Sequence, residues 1–242
     1  MVGTYGPEQP PRTASREGAA LTQHLWRPIL AVVVQAVALL GSAGTLAWPA
    51  AWIYVGLYLG VVVVGAALLQ AHDPDLAWER AEGSRGGERW DTWVTRAMGV
   101  AWLGTLVTAG FDERLGWSPP LPLPLGVGGA VFVVAGYALT TWAMYVNTFF
   151  TVTVRIQPER GHTVVCDGPY AYVRHPGYAG MLMSMLGAVF LLGSLWALIP
   201  WVLLLAVNVV RVVLEERTLT GGLAGYPEYV ARTRYRLLPL VW

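Results

Sequence analysis

The sequence predicts an all-α protein, a polytopic bundle of about six transmembrane helices. Of its 242 residues, 55% are hydrophobic and only 13% are charged, and the mean hydropathy is +0.49. This composition is too apolar for an ordinary soluble domain. The apolar residues fall into six runs close to the length that crosses a hydrocarbon core about 30 Å thick. The positive charges collect in every second connection between these runs, as they do in membrane proteins.

The six apolar runs are the predicted spans. They cover residues 29–46, 50–70, 94–111, 125–146, 177–192 and 195–214. Very short links around Pro49 and Gly193 predict that the first two and the last two runs form antiparallel hairpins. The fifth run is the shortest, so we expect a tilted or incomplete span. Gly126, Gly128 and Gly129 lie in the fourth run, where small residues favour close helix packing.

These runs divide the chain into three regions. Residues 1–27 form a polar leader without periodicity, which predicts disorder. No cleaved signal peptide is expected, because the first apolar run begins only near Pro28. Residues 28–146 are predicted to form a helical scaffold of four spans. Residues 147–242 would form a two-span hairpin with a C-terminal cytoplasmic segment.

Arginines predict the orientation. All sixteen basic residues are arginine, and they precede the first span, fill the second connection, follow the fourth span and mark the C-terminal end, with Arg114 the exception. Both termini are therefore predicted to be cytoplasmic. Arginine without lysine is typical of a GC-rich genome, so we expect a bacterial inner membrane. Because the net charge is only +1, we expect no nucleic-acid partner. Because Cys166 is the single cysteine, we expect no intramolecular disulfide and no cysteine metal site.

Polar residues concentrate just before the fifth span. Arg174 and His175 precede Pro176, which suits the first turn of a helix. The N-terminus of a helix attracts anions, and Arg174 adds a full positive charge. The alternatives are that Arg174 pairs with lipid headgroups and that His175 hydrogen-bonds a nearby carbonyl.

The sixth span carries a polar face. Asn208, Arg211 and Glu215 recur at helical spacing, and ionisable groups at membrane depth usually face a cavity or a partner. Arg211 and Glu215 are one turn apart and can pair, so a purely structural ion pair is an alternative. Glu215 and Glu216 near a helix C-terminus require a cation, which Arg211, Arg217 or the amino group of a bound cofactor could supply.

Several blocks in the C-terminal half resemble the isoprenylcysteine carboxyl methyltransferase family, to which phosphatidylethanolamine N-methyltransferases and small-thiol methyltransferases are related. The matching blocks are Gly168-Pro169-Tyr170, Arg174-His175-Pro176-Gly177-Tyr178-Ala179-Gly180, Glu215-Glu216-Arg217-Thr218-Leu219, Tyr226, Tyr229 and Leu238-Pro239. The match covers roughly residues 147 to 239, in order and with compatible spacing. The first hundred residues match only loosely.

The resemblance implies a site for S-adenosylmethionine at the cytoplasmic face. The implied cofactor-binding residues are Gln157, His162, Thr163, Val164, Val165, Tyr170, Arg174, His175, Pro176, Gly177, Tyr178 and Glu215. Arg211 matches the arginine that holds the substrate carboxylate in the family, and Asn208 would join it on the acceptor side. Arg211 and His175 are the implied catalytic residues.

The predicted function is methyl transfer from S-adenosylmethionine to a small or lipid-like apolar acceptor, through a carboxylate, thiol or amine. The predicted partners are this acceptor and membrane lipids, with no obligate protein partner. The first alternative is an NADPH-dependent sterol-type reductase, because such reductases resemble this family in their cofactor region. The second is a non-enzymatic membrane scaffold with a structural polar mouth.

Overall fold

The computed structural model describes residues 14–82 and 86–242, with the backbone alone at residues 14–27 and 81–82. Within this part the chain forms eight α-helices and no strand. The helices are α1 (Ala14–Ala43), α2 (Pro49–His72), α3 (Pro74–Glu82), α4 (Arg89–Leu115), α5 (Leu123–Val146), α6 (Pro176–Leu191), α7 (Leu198–Gly222) and α8 (Tyr226–Arg232). The prediction of an all-α fold is confirmed.

Six of these helices coincide with the predicted apolar runs. The helices α2, α4, α5 and α7 are long and apolar enough to cross a membrane, and Pro28–Ala43 and Pro176–Leu191 form shorter apolar helices. The chain is therefore an integral membrane helical bundle. The 16 residues of α6 reach about 24 Å at 1.5 Å per residue, which is short of a hydrocarbon core of about 30 Å. The expectation for the fifth run thus agrees with the structure.

Two helix ends differ from the sequence expectation. The backbone of α1 is helical from Ala14, within the predicted disordered leader, because the alanines, glutamate and leucine there are good helix formers that continue the apolar helix. Residues 1–13 lie outside the described residues. The helix α7 continues to Gly222, two turns past the predicted end at residue 214, and includes both glutamates.

Glycines bring α5 and α6 into the closest contact in the bundle. A Cβ atom added to Gly129 would lie 2.5 Å from the backbone nitrogen of Leu191, and one added to Gly136 would lie 2.5 Å from that of Ser184. Both distances are too short for any side chain, so the two backbones touch. The packing role expected for Gly129 is confirmed, whereas nothing lies within 4 Å of a Cβ on Gly128.

Backbone pairing places the start of α6 beside the C-terminal segment. The amide of Arg174 donates to the carbonyl of Tyr235 at 2.9 Å, and the amide of His175 donates to that of Arg236 at 2.9 Å. On the other side, Arg80 of α3 donates to the carbonyl of Phe150 at 3.0 Å. The connection between α5 and α6 is thus held between α3 and the C-terminal segment.

Candidate active site

A cavity of about 300 Å³ lies where the α5–α6 connection meets the start of α6, the end of α7 and α8. Most of the residues predicted to bind the cofactor or the acceptor line it. They are His162, Thr163, Val164, Val165, Tyr170, Arg174, His175, Gly177, Tyr178, Arg211 and Glu215. Segments distant in sequence therefore converge on one cavity, as the sequence predicted for His175 and Glu215.

Three predicted site residues do not line the cavity. Gln157 is fully buried, and its side-chain amide donates to the carbonyl of Phe149 at 2.9 Å, so it supports the cavity wall. Pro176 is buried in the first turn of α6. Asn208 is fully buried, and neither of its amide atoms has a hydrogen-bond partner in the described part of the chain. Their binding roles stay predictions.

Glu215 forms the acidic side of the cavity. The Tyr178 hydroxyl donates to its Oε2 at 2.6 Å, and Nδ1 of His175 lies 4.0 Å from its Oε1. The rings of His175 and Tyr178 stack with centroids 5.7 Å apart. No arginine forms an ion pair with Glu215 among the described residues. Its carboxylate therefore keeps the capacity to bind a cation in the cavity.

The neighbouring Glu216 lies at the centre of a buried ion cluster. Arg174 donates through Nε to its Oε1 at 2.5 Å, and Arg236 donates through Nε to its Oε2 at 2.8 Å. A second nitrogen of Arg174 donates to the carbonyls of Thr233 and Arg234 at 2.6 and 2.8 Å. The charge of Arg174 is thus neutralised inside the protein, rather than by lipid headgroups. Arg174 borders the cavity but directs its donors into this cluster.

Arg211 pairs with Asp91 of α4 and not with Glu215. Its Nη2 lies 2.9 Å from Oδ1 of Asp91 and donates to the carbonyl of Val152 at 2.9 Å. The ring of Tyr178 lies 5.3 Å from the guanidinium carbon. The Arg211–Glu215 pairing considered from the sequence is therefore wrong, because Asp91 is the more deeply buried acid, with 0% exposure.

Asp91, which contacts the site through Arg211, is an ionisable residue that sequence reasoning missed. It lies in the region predicted to be a scaffold, 120 positions before its partner in the chain. The available signal was Arg211 itself, since a cation within a span requires a buried acid. Asp91 opens the third span beside two tryptophans and was the acid best placed for this role.

Aromatic side chains form much of the remaining wall. Tyr170 receives a hydrogen bond from Asn147 at 3.1 Å, and its carbonyl accepts one from the hydroxyl of Tyr229 at 2.8 Å. Tyr226 packs edge-on against Tyr229 with ring centroids 5.7 Å apart. Burial raises the pKa of each of these three tyrosines, so they remain neutral near pH 7. Neutral aromatic faces are good partners for a cation.

His162, in the α5–α6 connection, lines the cavity. Its ring stacks on Phe149 with centroids 4.3 Å apart, and Nδ1 accepts a hydrogen bond from the backbone amide of Gln157 at 3.3 Å. Burial, with the nearby charges of Arg155 and Arg160, lowers the pKa of His162. The ring is therefore neutral near pH 7 and adds no positive charge to the cavity.

Part of the chain that lines this cavity is similar to known proteins. The model of the isoprenylcysteine carboxyl methyltransferase (ICMT) family matches residues 129–221, which include His175, Tyr178, Arg211 and Glu215. A relative named Protein-S-isoprenylcysteine O-methyltransferase, from Schizosaccharomyces pombe (strain 972 / ATCC 24843), is 37% identical over 76 residues. That alignment covers 29% of this chain and 32% of the relative, so the chain spans about a third of the relative's length.

Proposed function

We propose, from the match of residues 129–221 to the model of the isoprenylcysteine carboxyl methyltransferase family, that this chain methylates a lipophilic acceptor with S-adenosylmethionine. The observation that carries this proposal is the shared cavity of His175, Tyr178, Arg211 and Glu215. The cavity contains both a carboxylate, which can bind a cation, and a buried arginine, which can bind an electron-rich group. The donor would enter from water and the acceptor from the bilayer.

The cavity lining fits the methyl donor. Its volume of about 300 Å³ lies at the lower end of ligand pockets, and Tyr170, Tyr226 and Tyr229 supply neutral aromatic faces for a sulfonium or ammonium group. Glu215 would bind the amino group, because it is the cavity acid without an arginine partner in the described residues. The bound donor supplies an electrophilic methyl group on sulfur. The residues of the chain bind, align and exclude water.

The acceptor would lie on the side of Arg211. Tyr137, Thr140 and Met181 also line the cavity, and they belong to the membrane-spanning parts of α5 and α6. The Met181 side chain and the Tyr137 ring give this part of the lining apolar surface for a hydrocarbon or isoprenoid chain, with its reactive group towards Arg211. The name of the yeast relative specifies an isoprenylcysteine, so we propose a lipid-modified carboxylate as the first acceptor to test.

The state of the arginines argues against a nicotinamide reductase. Four arginines line the cavity, and all have partners. They are Arg80 with a carbonyl, Arg155 with Glu79 and Glu159, Arg174 with Glu216, and Arg211 with Asp91. A 2′-phosphate is usually held by several cations that lack a counter-charge, whereas carboxylates already neutralise the charges of Arg155, Arg174 and Arg211. The arginine distribution supports a cavity that opens on the cytoplasmic side of a bacterial inner membrane, with both termini on the same side.

Isothermal titration of the detergent-purified chain with S-adenosylhomocysteine tests the proposal. We expect saturable binding, weakened by His175→Ala and Glu215→Ala. Arg211→Ala should retain binding but lose methylation of an S-farnesylated N-acetylcysteine. Glu113→Ala is the matched control, because Glu113 is an exposed acid near the far end of α4. Absence of binding by the folded wild-type chain would rule out the methyltransferase assignment, and equal affinity in all variants would reject the proposed roles.

A further inference from the structure

The carboxylate of Asp91 joins two parts of the cavity. It is fully buried in the first turn of α4, outside the segment that matches the family model. One oxygen lies 2.9 Å from Nη2 of Arg211, and the other accepts a hydrogen bond from the amide of Val154 at 2.9 Å. Val154 belongs to the cavity wall. Asp91 thus fixes the arginine and the wall with the same group.

The remaining contacts of Arg211 are weaker or depend on that wall. Its Nη2 donates to the carbonyl of Val152 at 2.9 Å, and its Nη1 meets only the sulfur of Met98 at 3.9 Å. Its Nε has no hydrogen-bond partner in the described part of the chain. Asp91 is therefore the one full charge that opposes Arg211 at contact distance among these groups.

Glu215 is the competing partner. It lies four residues after Arg211 on α7, a spacing at which an arginine and a glutamate reach each other on a helix. In the structure the Tyr178 side chain separates them, with its ring 5.3 Å from the Arg211 guanidinium and its hydroxyl 2.6 Å from Glu215. An arginine released from Asp91 would turn towards Glu215, because a buried cation requires a counter-charge.

We infer that Asp91 is a positioning residue that holds Arg211 on the acceptor side of the cavity and away from Glu215. The inference rests on the proposed function, in which Glu215 binds the methyl donor. Asp91 acts on the donor only through Arg211. Its loss lets the arginine occupy the carboxylate, so donor affinity falls although Asp91 itself does not reach the donor.

A double-mutant cycle measured with S-adenosylhomocysteine tests this inference without knowledge of the acceptor. We expect Asp91→Asn to weaken binding about tenfold, and we expect Asp91→Asn combined with Arg211→Gln to bind within about threefold of wild type. The double variant removes both charges together and so leaves neither buried without a partner. It is informative even if Asp91→Asn alone does not fold.

Asp112→Asn is the matched control. Asp112 is a second buried acid of α4, at the opposite end, where it accepts hydrogen bonds from Ser118 and Ser194. This substitution should leave the affinity unchanged. A double variant that binds as weakly as Asp91→Asn, or not at all, would show a merely structural role and overturn the inference. Unchanged affinity in folded Asp91→Asn would overturn it equally. Failure of the wild-type chain to bind would instead reject the proposed function.

Discussion

Replacement of Glu216 with glutamine should destabilise the fold, whereas the same change at Glu215 should spare the fold and weaken the donor site. The two side chains are adjacent in sequence and both approach His175, Glu215 at 4.0 Å and Glu216 at 3.4 Å, but their other partners differ. Glu216 neutralises Arg174 and Arg236, while Glu215 accepts a hydrogen bond from Tyr178. Neither variant changes the size of the side chain, so the comparison isolates the negative charge.

The contacts of each carboxylate set the expected magnitudes. Removal of one partner from a buried ion pair costs about 3 to 5 kcal/mol. The Arg236 side chain is 33% exposed and can turn to water, so only Arg174 is left as a buried charge. Two carbonyls still accept from Arg174. We therefore expect the lower limit, about 3 kcal/mol, for Glu216→Gln, and less than about 1 kcal/mol for Glu215→Gln, because its amide oxygen can still accept from Tyr178.

The assay is unfolding of the detergent-purified variants with increasing dodecyl sulfate, followed by the fluorescence of the twelve tryptophans. Titration with S-adenosylhomocysteine gives the second readout. Glu215→Gln should lose about tenfold to a hundredfold in affinity, which corresponds to about 1.4 to 2.8 kcal/mol. A wild-type unfolding midpoint for Glu216→Gln would refute the buried ion cluster. Equal destabilisation of both variants would refute the division of labour between the two acids.

Two further predictions concern the close contact between α5 and α6 and the cavity-lining residue His162. Gly136→Ala should lower the free energy of unfolding by about 1 to 2 kcal/mol, since overpacking outweighs the gain in helix propensity. Gly128→Ala, with open space around it, should leave the free energy of unfolding unchanged. Equal unfolding midpoints of the two variants in dodecyl sulfate would contradict the close contact between α5 and α6. Burial lowers the pKa of His162 from its ordinary 6.5, so the folded state disfavours the protonated ring. Stability should be full above about pH 6.5 and fall below it. His162→Asn should flatten the decline in melting temperature between about pH 7 and about pH 5.5. An unchanged decline would show that protonation of His162 does not cause the loss of stability.

The sequence predicted the helices well because apolar runs report directly on membrane burial. Each of the six predicted runs overlaps an apolar helix over most of its length. The polar face of α7 was also predictable, since Asn208 and Arg211 recur with the helical period and are both buried. Helix ends were less predictable. Residues 215–222 are polar but continue α7, because packing of Glu216 against Arg174 stabilises them.

Partner choice in the site could not be predicted from local spacing. The four-residue interval favoured a pair between Arg211 and Glu215, but tertiary packing brings Asp91 to 2.9 Å from the arginine. The spacing likewise left open which cation neutralises each glutamate. Arg236 reaches Glu216 because the C-terminal segment folds back along the start of α6, a long-range contact without a sequence signal.

The direct backbone contact between α5 and α6 limits how this protein can acquire a new acceptor. A larger residue at Gly129 or Gly136 would separate the helices before it reshaped the cavity. In the proposed site, changes in acceptor size would instead arise at positions such as Tyr137 and Met181, which belong to the same helices but line the cavity. Evolution or design of altered acceptor selectivity is therefore limited to a few positions, while Gly129 and Gly136 must stay small.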